Sequence, residues 1–414
     1  AGLADKHLSR HLLLLRRLHF PLIDLARSGL SSAAPFVMGP RAKAALRGSA
    51  AYDAYMISVF GRDRWLGGLR AAMESPRRSC ALILNSDFES LIASWRSRGF
   101  STPVAHEPSL SCAIPVFSPS SLKSSAGLSG GPESDVSSIS CADDSDDSFG
   151  DLIVDSGDPD ADSDGILAMP RPVSVSSGLR DYYPLDLASV LVARAVGARD
   201  GDTVLDLCAA PGGKSLVLAS CIGPRSGRLF ANDVSPSRRG RLKSVIGDYL
   251  APAHRQRVTV LGSQGFALGA TMAERFDRVL ADVPCSADRH MIVRPTELES
   301  WTTKRPRQMA KRQAGLLSGG LHALRPGGTL VYATCALSPE ENDSVVKTAV
   351  ERCAKKFEVR VQEPSANVPG MPPGATMPGV VVETTELGHM VLPDLSDGWG
   401  PLYWSVIHKG LPVQ

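Results

Sequence analysis

Thr203-Val-Leu-Asp-Leu-Cys-Ala-Ala-Pro-Gly-Gly-Lys-Ser215 is the stretch from which the fold can be read. A short apolar run ends at Asp206, turns through Pro211-Gly212-Gly213 and re-enters an apolar helical pattern at Leu216. That order predicts a buried strand, a glycine turn and a helix N-terminus, where backbone N–H groups and the helix dipole can meet a small ligand. Two adjacent glycines permit close backbone approach and positive φ, which a Cβ would penalise. A nucleoside triphosphate loop needs glycine five residues before Gly213, and that position is Cys208. The dinucleotide pattern G-x-G-x-x-G is absent too. What remains is a nucleoside-type ligand such as S-adenosylmethionine, or a turn that only packs.

Outward from this turn, residues 179–360 alternate between strand and helix patterns. A helix over 186–197 leads into the strand at 203–207, and a helix over 214–222 leads to a strand at Arg228–Ala231 that ends at Asn232-Asp233. A helix over 237–250 and a strand over 257–261 follow. The strand Arg278–Ala281 runs into Asp282-Val-Pro-Cys285. A basic helix spans 306–324, and the strand Thr329–Ala333 ends at Thr334-Cys335. Such alternation builds an α/β fold, a Rossmann-like, doubly wound and mostly parallel sheet covered on both faces. The alternating patterns at 357–362 and 402–408 predict antiparallel strands at one edge.

The flanks differ in composition. Residues 1–50 carry Arg10, Arg16, Arg17, Arg27, Arg41, Lys43 and Arg47 against only Asp5 and Asp24, the composition of a mitochondrial-type transit segment; a basic surface helix is the alternative. Residues 51–114 place Tyr52, Tyr55, Val59, Phe60, Trp65, Leu69 and Met73 at helical spacing, with a short strand at Ala81–Leu84 and another helix around Phe88–Trp95. This region is expected to be helical and to touch RNA or a partner. Residues 115–172 turn to Ser, Gly, Asp and Pro with the acidic run Asp143–Asp147, too polar to offset ordering entropy, and read as a disordered insertion. The domain that does chemistry is then 173–414. The formal charge of +2 averages acidic against basic segments, and no apolar run reaches the roughly 18 residues of a membrane span. The cysteines at 80, 112, 141, 208, 221, 285, 335 and 353 form no C-x-x-C pair and no cluster at zinc spacing, and read as reduced thiols with no metal.

In doubly wound sheets, ligands bind beyond the carboxyl ends of the strands. Four strand ends here carry reactive or polar side chains: Asp206 with Cys208, Asp233, Asp282 with Cys285, and Thr334-Cys335. Asp233 closes the second strand about 20 residues after the glycine turn, where an acid accepts from both ribose hydroxyls. Its alternative is a helix N-cap, although Ser235 is better placed for that. Two thiols and a carboxylate at neighbouring strand ends have a use on a pyrimidine. C5 of cytosine is a poor nucleophile until something adds to C6. A thiolate adding there, with an acid at N3, makes an enamine whose C5 can attack a methyl sulfonium.

Together these motifs resemble the Nol/Nop/Sun family of RNA cytosine-5 methyltransferases. Asp206–Ser215 is similar to its cofactor loop, and Asp282-Val-Pro-Cys285 and Thr334-Cys335 to its two cysteine motifs. Tyr183–Ser189 stands where the family's preceding helix begins. The resemblance implies S-adenosylmethionine as cofactor, with Gly212, Gly213 and Lys214 touching it, Asp233 on its ribose and Arg238 shaping the pocket. It implies Cys335 as nucleophile, Cys285 as the thiol assisting release, and Asp282 between cofactor and cytosine N3. Cys208, Gly262 and Ser263 complete the expected cofactor site. One departure stands out: the family reads adenine with an Asp after the third strand, and here Val260-Leu-Gly-Ser263 offers Gly262 or Ser263.

Val59–Trp65, Asn232–Arg238, Asp288-Arg-His290 and Gly400–Tyr403 are similar to the family's mitochondrial ribosomal-RNA member. That subgroup implies a location in the mitochondrial matrix, a role in mitoribosome assembly and a partner of the mitochondrial transcription-terminator type. RNA contact is expected from Arg238, Arg239, Arg241 and Lys243, and from Lys304, Arg305, Arg307, Lys311 and Arg312, because clustered cations neutralise phosphates. A buried thiol requires an unstacked cytosine. The competing function is a non-catalytic assembly factor that keeps the methyltransferase fold.

Overall fold

A computed structural model describes residues 47–100, 104–107, 112–115, 169–365 and 379–413, all within the unit Ala45–Gln414. The leader expected over 1–50 and the insertion expected over 115–172 lie almost wholly outside the described residues. The strands, in chain order, are β1 (Cys80–Ile83), β2 (Val104–Glu107), β3 (Cys112–Pro115), β4 (Tyr182–Leu185), β5 (Thr203–Asp206), β6 (Arg228–Asn232), β7 (Val258–Leu261), β8 (Phe276–Asp282), β9 (Leu324–Thr334), β10 (Phe357–Val361), β11 (Val382–Thr384), β12 (His389–Val391) and β13 (Leu402–Pro412). The longer helices are α1 (Gly48–Phe60), α2 (Phe88–Ser97), α3 (Leu187–Ala195), α4 (Gly213–Ile222), α5 (Pro236–Tyr249), α6 (Arg305–Ala323) and α7 (Asp343–Cys353).

The large sheet runs β11-β12-β13-β9-β8-β5-β6-β7, with β10 also on β13. β9, β8, β5, β6 and β7 are parallel, and β13 joins β9 antiparallel, as the alternating C-terminal patterns predict. Successive residues of the central strands serve opposite faces, as strand geometry requires. Val204, Leu280, Val331 and Ala333 pack into one core with α3 and α4. Leu205, Val279, Leu330 and Tyr332 pack into the other with α6 and the N-terminal Tyr52, Met56 and Trp65. Each such fully buried valine or leucine contributes about 1.5–3 kcal/mol. β5 is central, with β8 and β6 on its two sides, so the strand order reverses there. A crevice is expected at that reversal.

Helix starts follow local chemistry. Asp186 caps α3 by accepting from Ala188 N at 2.7 Å. Ser235 caps α5, with Pro236 at the first helical position. The expected strand at 81–84 is β1, but the N-terminal region is not wholly helical. β1 belongs to a second sheet, β2-β3-β1-β4, whose last strand comes from beyond residue 180. Local periodicity cannot show such a distant pairing.

Candidate active site

The carboxyl ends of β5, β8 and β9 open into a cavity of about 700 Å³. The turn after β5 forms its floor. Gly212 adopts φ +128°, a conformation closed to other residues without strain. Gly213 is needed for a different reason: a Cβ there would stand 2.7 Å from Leu185 Cδ1 and 2.8 Å from Tyr183 Cε1. The glycine pair therefore lets α4 start directly against β4, and that brings Lys214 to the cavity. Gly213 lines the cavity; Gly212 is buried beneath it against α5.

Lys214 Nζ lies 2.7 Å from Asp282 Oδ2. Burial disfavours the ammonium, but Asp282 and the nearby Cys335 sulfur outweigh it, and the pKa of Lys214 is raised. Asp206 is fully buried at the end of β5 and accepts from the Ser215 hydroxyl at 2.6 Å through Oδ2. Its Oδ1 is buried and has no hydrogen-bond partner among the described residues. Burial pushes the Asp206 carboxyl up to about 7; the Ser215 hydrogen bond works against the rise and the charge of Asp282 adds to it. Because the residue lines the cavity, a cationic ligand group there would find a waiting acceptor. Cys208 lines the same wall, its thiol raised by burial above all.

Asp233 is buried and already engaged. Its Oδ1 accepts from Ser235 N at 2.9 Å, and Oδ2 stands 3.4 Å from Arg238 Nε. Arg238 also donates to Ala210 O at 2.6 Å, tying the turn after β5 to the end of β6. Arg238 faces the cavity; Asp233 lies behind it. Ser263 is held by Asn232, whose side chain accepts from Ser263 N and donates to Ser263 O at 2.9 and 3.0 Å. Gly262 lies against the Arg239 guanidinium, where a Cβ would approach Cζ to 2.8 Å. Neither Gly262 nor Ser263 borders the cavity.

Both cysteines of the strand-end motifs line the cavity, with Sγ atoms 2.9 Å apart and both thiols free. The Cys285 thiol is pushed well up, first by its hydrogen bond with Cys335 and then by burial. Asp282, Lys214, Cys285 and Cys335 thus line the same cavity as Asp206, Cys208 and Arg238.

The basic residues divide. Lys243, Lys304, Lys311 and Arg312 are exposed. Arg239 instead turns inward and donates to the carbonyls of Asp233 and Val234 at 2.9 and 2.8 Å. Arg305 is half-buried and reaches Ser286 O at 3.4 Å, beside Cys285.

Several organising residues escape sequence reading. Arg289 is buried with carbonyls for partners: Gly398 O at 2.7 Å, Gly400 O, and Ser75 O at 3.1 Å. Burial lowers its pKa to about 10. It joins the 73–79 segment and the 398–402 segment, two walls of the cavity. Asp288 accepts from Tyr52 OH at 3.0 Å and from Leu337 N at 2.7 Å, linking α1 to the loops after both cysteines. Their only sequence signal is the string Asp288-Arg-His290, which carries no hint of these partners.

Residues 193–376 match the family model described as 16S rRNA methyltransferase RsmB/F. The 5-cytosine rRNA methyltransferase NSUN4 of Mus musculus is 39% identical over 244 residues, 56% of this chain and 61% of that protein. The mitochondrial tRNA (cytosine(34)-C(5))-methyltransferase of Mus musculus is 31% identical over 248 residues, 59% of this chain and 69% of that protein. The chain spans about three-fifths of the length of the NSUN4 relatives it matches. Among solved structures, NSun6 from Pyrococcus horikoshii with SFG aligns with TM-score 0.60 at 18% identity, over 87% of this chain and 98% of that one, a likeness of fold.

Proposed function

Because the chain belongs to the RsmB/F family of RNA methyltransferases, we propose that it is an S-adenosylmethionine-dependent RNA cytosine-5 methyltransferase acting on mitochondrial small-subunit ribosomal RNA. The observation that carries this reading is the convergence of Cys335, Cys285, Asp282 and Lys214 on one cavity at the ends of β5, β8 and β9.

The cavity fits the cofactor on its own terms. Asp206 offers a buried acceptor without a partner, suited to the ammonium of the methionine part, and Gly213 and Cys208 border the same space. When bound, S-adenosylmethionine supplies a methyl sulfonium. The chain's own residues do the rest. Lys214 stands near the Cys335 sulfur, whose thiolate is the nucleophilic form. Cys335 adds to C6 of a flipped cytosine while Asp282, acting as the acid, donates its proton to N3, which leaves C5 electron-rich. Once C5 is methylated, its proton must leave before the C6–sulfur bond breaks, and Cys285, 2.9 Å from Cys335, is placed to assist. Arg238 closes the ribose side of the pocket, with Asp233 behind it.

The wider reading places the protein in the mitochondrial matrix, in mitoribosome assembly, beside a terminator-family partner that adds RNA affinity. The arginine-rich, acid-poor residues 1–50 and the likeness to the mitochondrial tRNA methyltransferase of Mus musculus support the compartment.

The test is methyl incorporation into small-subunit ribosomal RNA from labelled cofactor, with bisulfite mapping of the product. Cys335→Ala abolishes incorporation, and Cys285→Ala accumulates a covalent enzyme–RNA adduct. An adduct with Cys335→Ala alone reverses the two roles. Incorporation at no cytosine, with assembly rescued by Cys335→Ala, establishes the scaffold function instead.

A further inference from the structure

Glu341 and Asn342 are neighbours in the chain, after the turn that follows β9, and their side chains serve different loops. Asn342 turns back on its own strand end. Its Oδ1 accepts from the Thr334 hydroxyl at 2.6 Å, and its Nδ2 donates to Ala336 O at 3.0 Å. Thr334 and Ala336 are the residues on either side of Cys335. Glu341 faces the loop after β8. Its carboxylate accepts from Ser286 N at 3.0 Å, from the Ser286 hydroxyl, and from Gln313 Nε2 at 2.9 Å. The same Nε2 donates to Pro284 O at 2.9 Å. Pro284 and Ser286 are the residues on either side of Cys285.

Both side chains are withdrawn from water: Glu341 is 0% exposed and Asn342 3%. The main chain of Glu341 is fixed as well, since the Tyr332 hydroxyl donates to its carbonyl at 2.6 Å. Each residue type matches its task. A carboxylate has only acceptors and here meets three donors, whereas an amide can accept on one side and donate on the other. Burying a carboxylate is costly. Packing alone gives no reason to spend one on the peptide beside a cysteine.

The geometry assigns the Glu341-Asn342 pair to setting the separation and aim of the two thiols: Asn342 is the positioning residue of Cys335, and Glu341, through Ser286 and Gln313, that of Cys285. The inference rests on the roles proposed above for the two cysteines. It predicts that the two halves of the reaction separate by variant. Loss of the Glu341 clamp impairs release, and loss of the Asn342 clamp impairs attack.

The test uses the full chain with Glu341→Ala, Asn342→Ala and the conservative Glu341→Gln. One readout needs neither cofactor nor RNA: the rate at which dilute hydrogen peroxide joins Cys285 to Cys335, followed by mass spectrometry. Each thiol gives up its hydrogen, the S–S bond forms and peroxide is reduced to two waters, so the rate reports how the sulfurs face each other. Both alanine variants are expected to slow it at least tenfold, and Glu341→Gln to restore most of it. The second readout is the RNA adduct, which accumulates in Glu341→Ala as in Cys285→Ala and is lost in Asn342→Ala. An unchanged joining rate in a folded Glu341→Ala overturns the proposal, as does a slowing that only tracks the unfolded fraction. Should Glu341→Ala fail to fold, Ser286→Ala, which removes one donor, carries the same comparison. If joining slows as expected but Cys285→Ala yields no adduct, the positioning stands and the assigned thiol roles fall.

Discussion

Lys214 Nζ and Asp282 Oδ2 meet at 2.7 Å, joining the first turn of α4 to the end of β8 across the line where the strand order reverses. Asp282→Asn leaves the ammonium with the cost of burial and without its nearest counter-charge. We expect a loss of about 1–3 kcal/mol in urea unfolding at pH 7, together with loss of methylation. Replacing both residues, Lys214→Met with Asp282→Asn, is expected to recover much of the stability and none of the activity. A single substitution without thermodynamic cost contradicts the pairing.

The Asp206 carboxyl, held up to about 7 chiefly by burial, gives cofactor binding a pH profile. Below pH 7 the group is protonated and offers no charge to an ammonium; above it the carboxylate forms. S-adenosylmethionine affinity is therefore expected to rise by about tenfold between pH 6 and pH 8, as one proton is released. Calorimetry across that range measures it. Asp206→Asn should flatten the profile, and an equally steep profile in that variant assigns the titration elsewhere.

Gly213→Ala tests the close approach of α4 to β4. The new methyl would overlap Leu185 Cδ1 and Tyr183 Cε1, both in a packed region with little room to yield. A stability loss of about 1–3 kcal/mol is expected by denaturant titration, with weaker cofactor binding as Lys214 is displaced.

Tyr52→Phe removes one hydroxyl from a buried bond to Asp288. Asp288 Oδ1 loses that donor, while Oδ2 keeps the Leu337 amide. A loss of about 1–3 kcal/mol is expected, and because Leu337 follows Cys335 closely, adduct formation should slow as well. Single-turnover kinetics can separate that slowing from simple unfolding.

Lys311 and Arg312 stand exposed on α6. Lys311→Glu with Arg312→Glu should weaken RNA binding for cytosine-containing and cytosine-free strands alike. The dependence of log affinity on log salt should flatten by about one unit for each phosphate that is no longer neutralised. Unchanged salt dependence would remove this face from the RNA path.

How far the sequence can be read is clear from particular residues. Asp206, Asp282 and Cys335 fall at strand ends because each ends a short apolar run, a local signal that the parallel sheet requires. Ser235 as the cap of α5 is legible for the same reason. Glu341 is not. It lies in Pro339-Glu-Glu-Asn342, where adjacent acids before a helix look like a solvated first turn, and nothing local tells which one is buried. Arg239 reads as an exposed cation because charge is visible in a sequence, whereas carbonyls waiting to accept from it are not. The carbonyl cage around Arg289 and the tie from Tyr52 to Asp288 depend on contacts across most of the chain. The small sheet, with β1 beside β4, belongs to the same class.

That small sheet also bears on biosynthesis. On the ribosome, β1 is exposed long before β4 has been translated, so one of its edges must wait for a neighbour that only arrives with Tyr182–Leu185. The early segment cannot complete its folding alone, and the delay, set by loop closure rather than by local propensity, is when nascent chains of this protein would most need a chaperone.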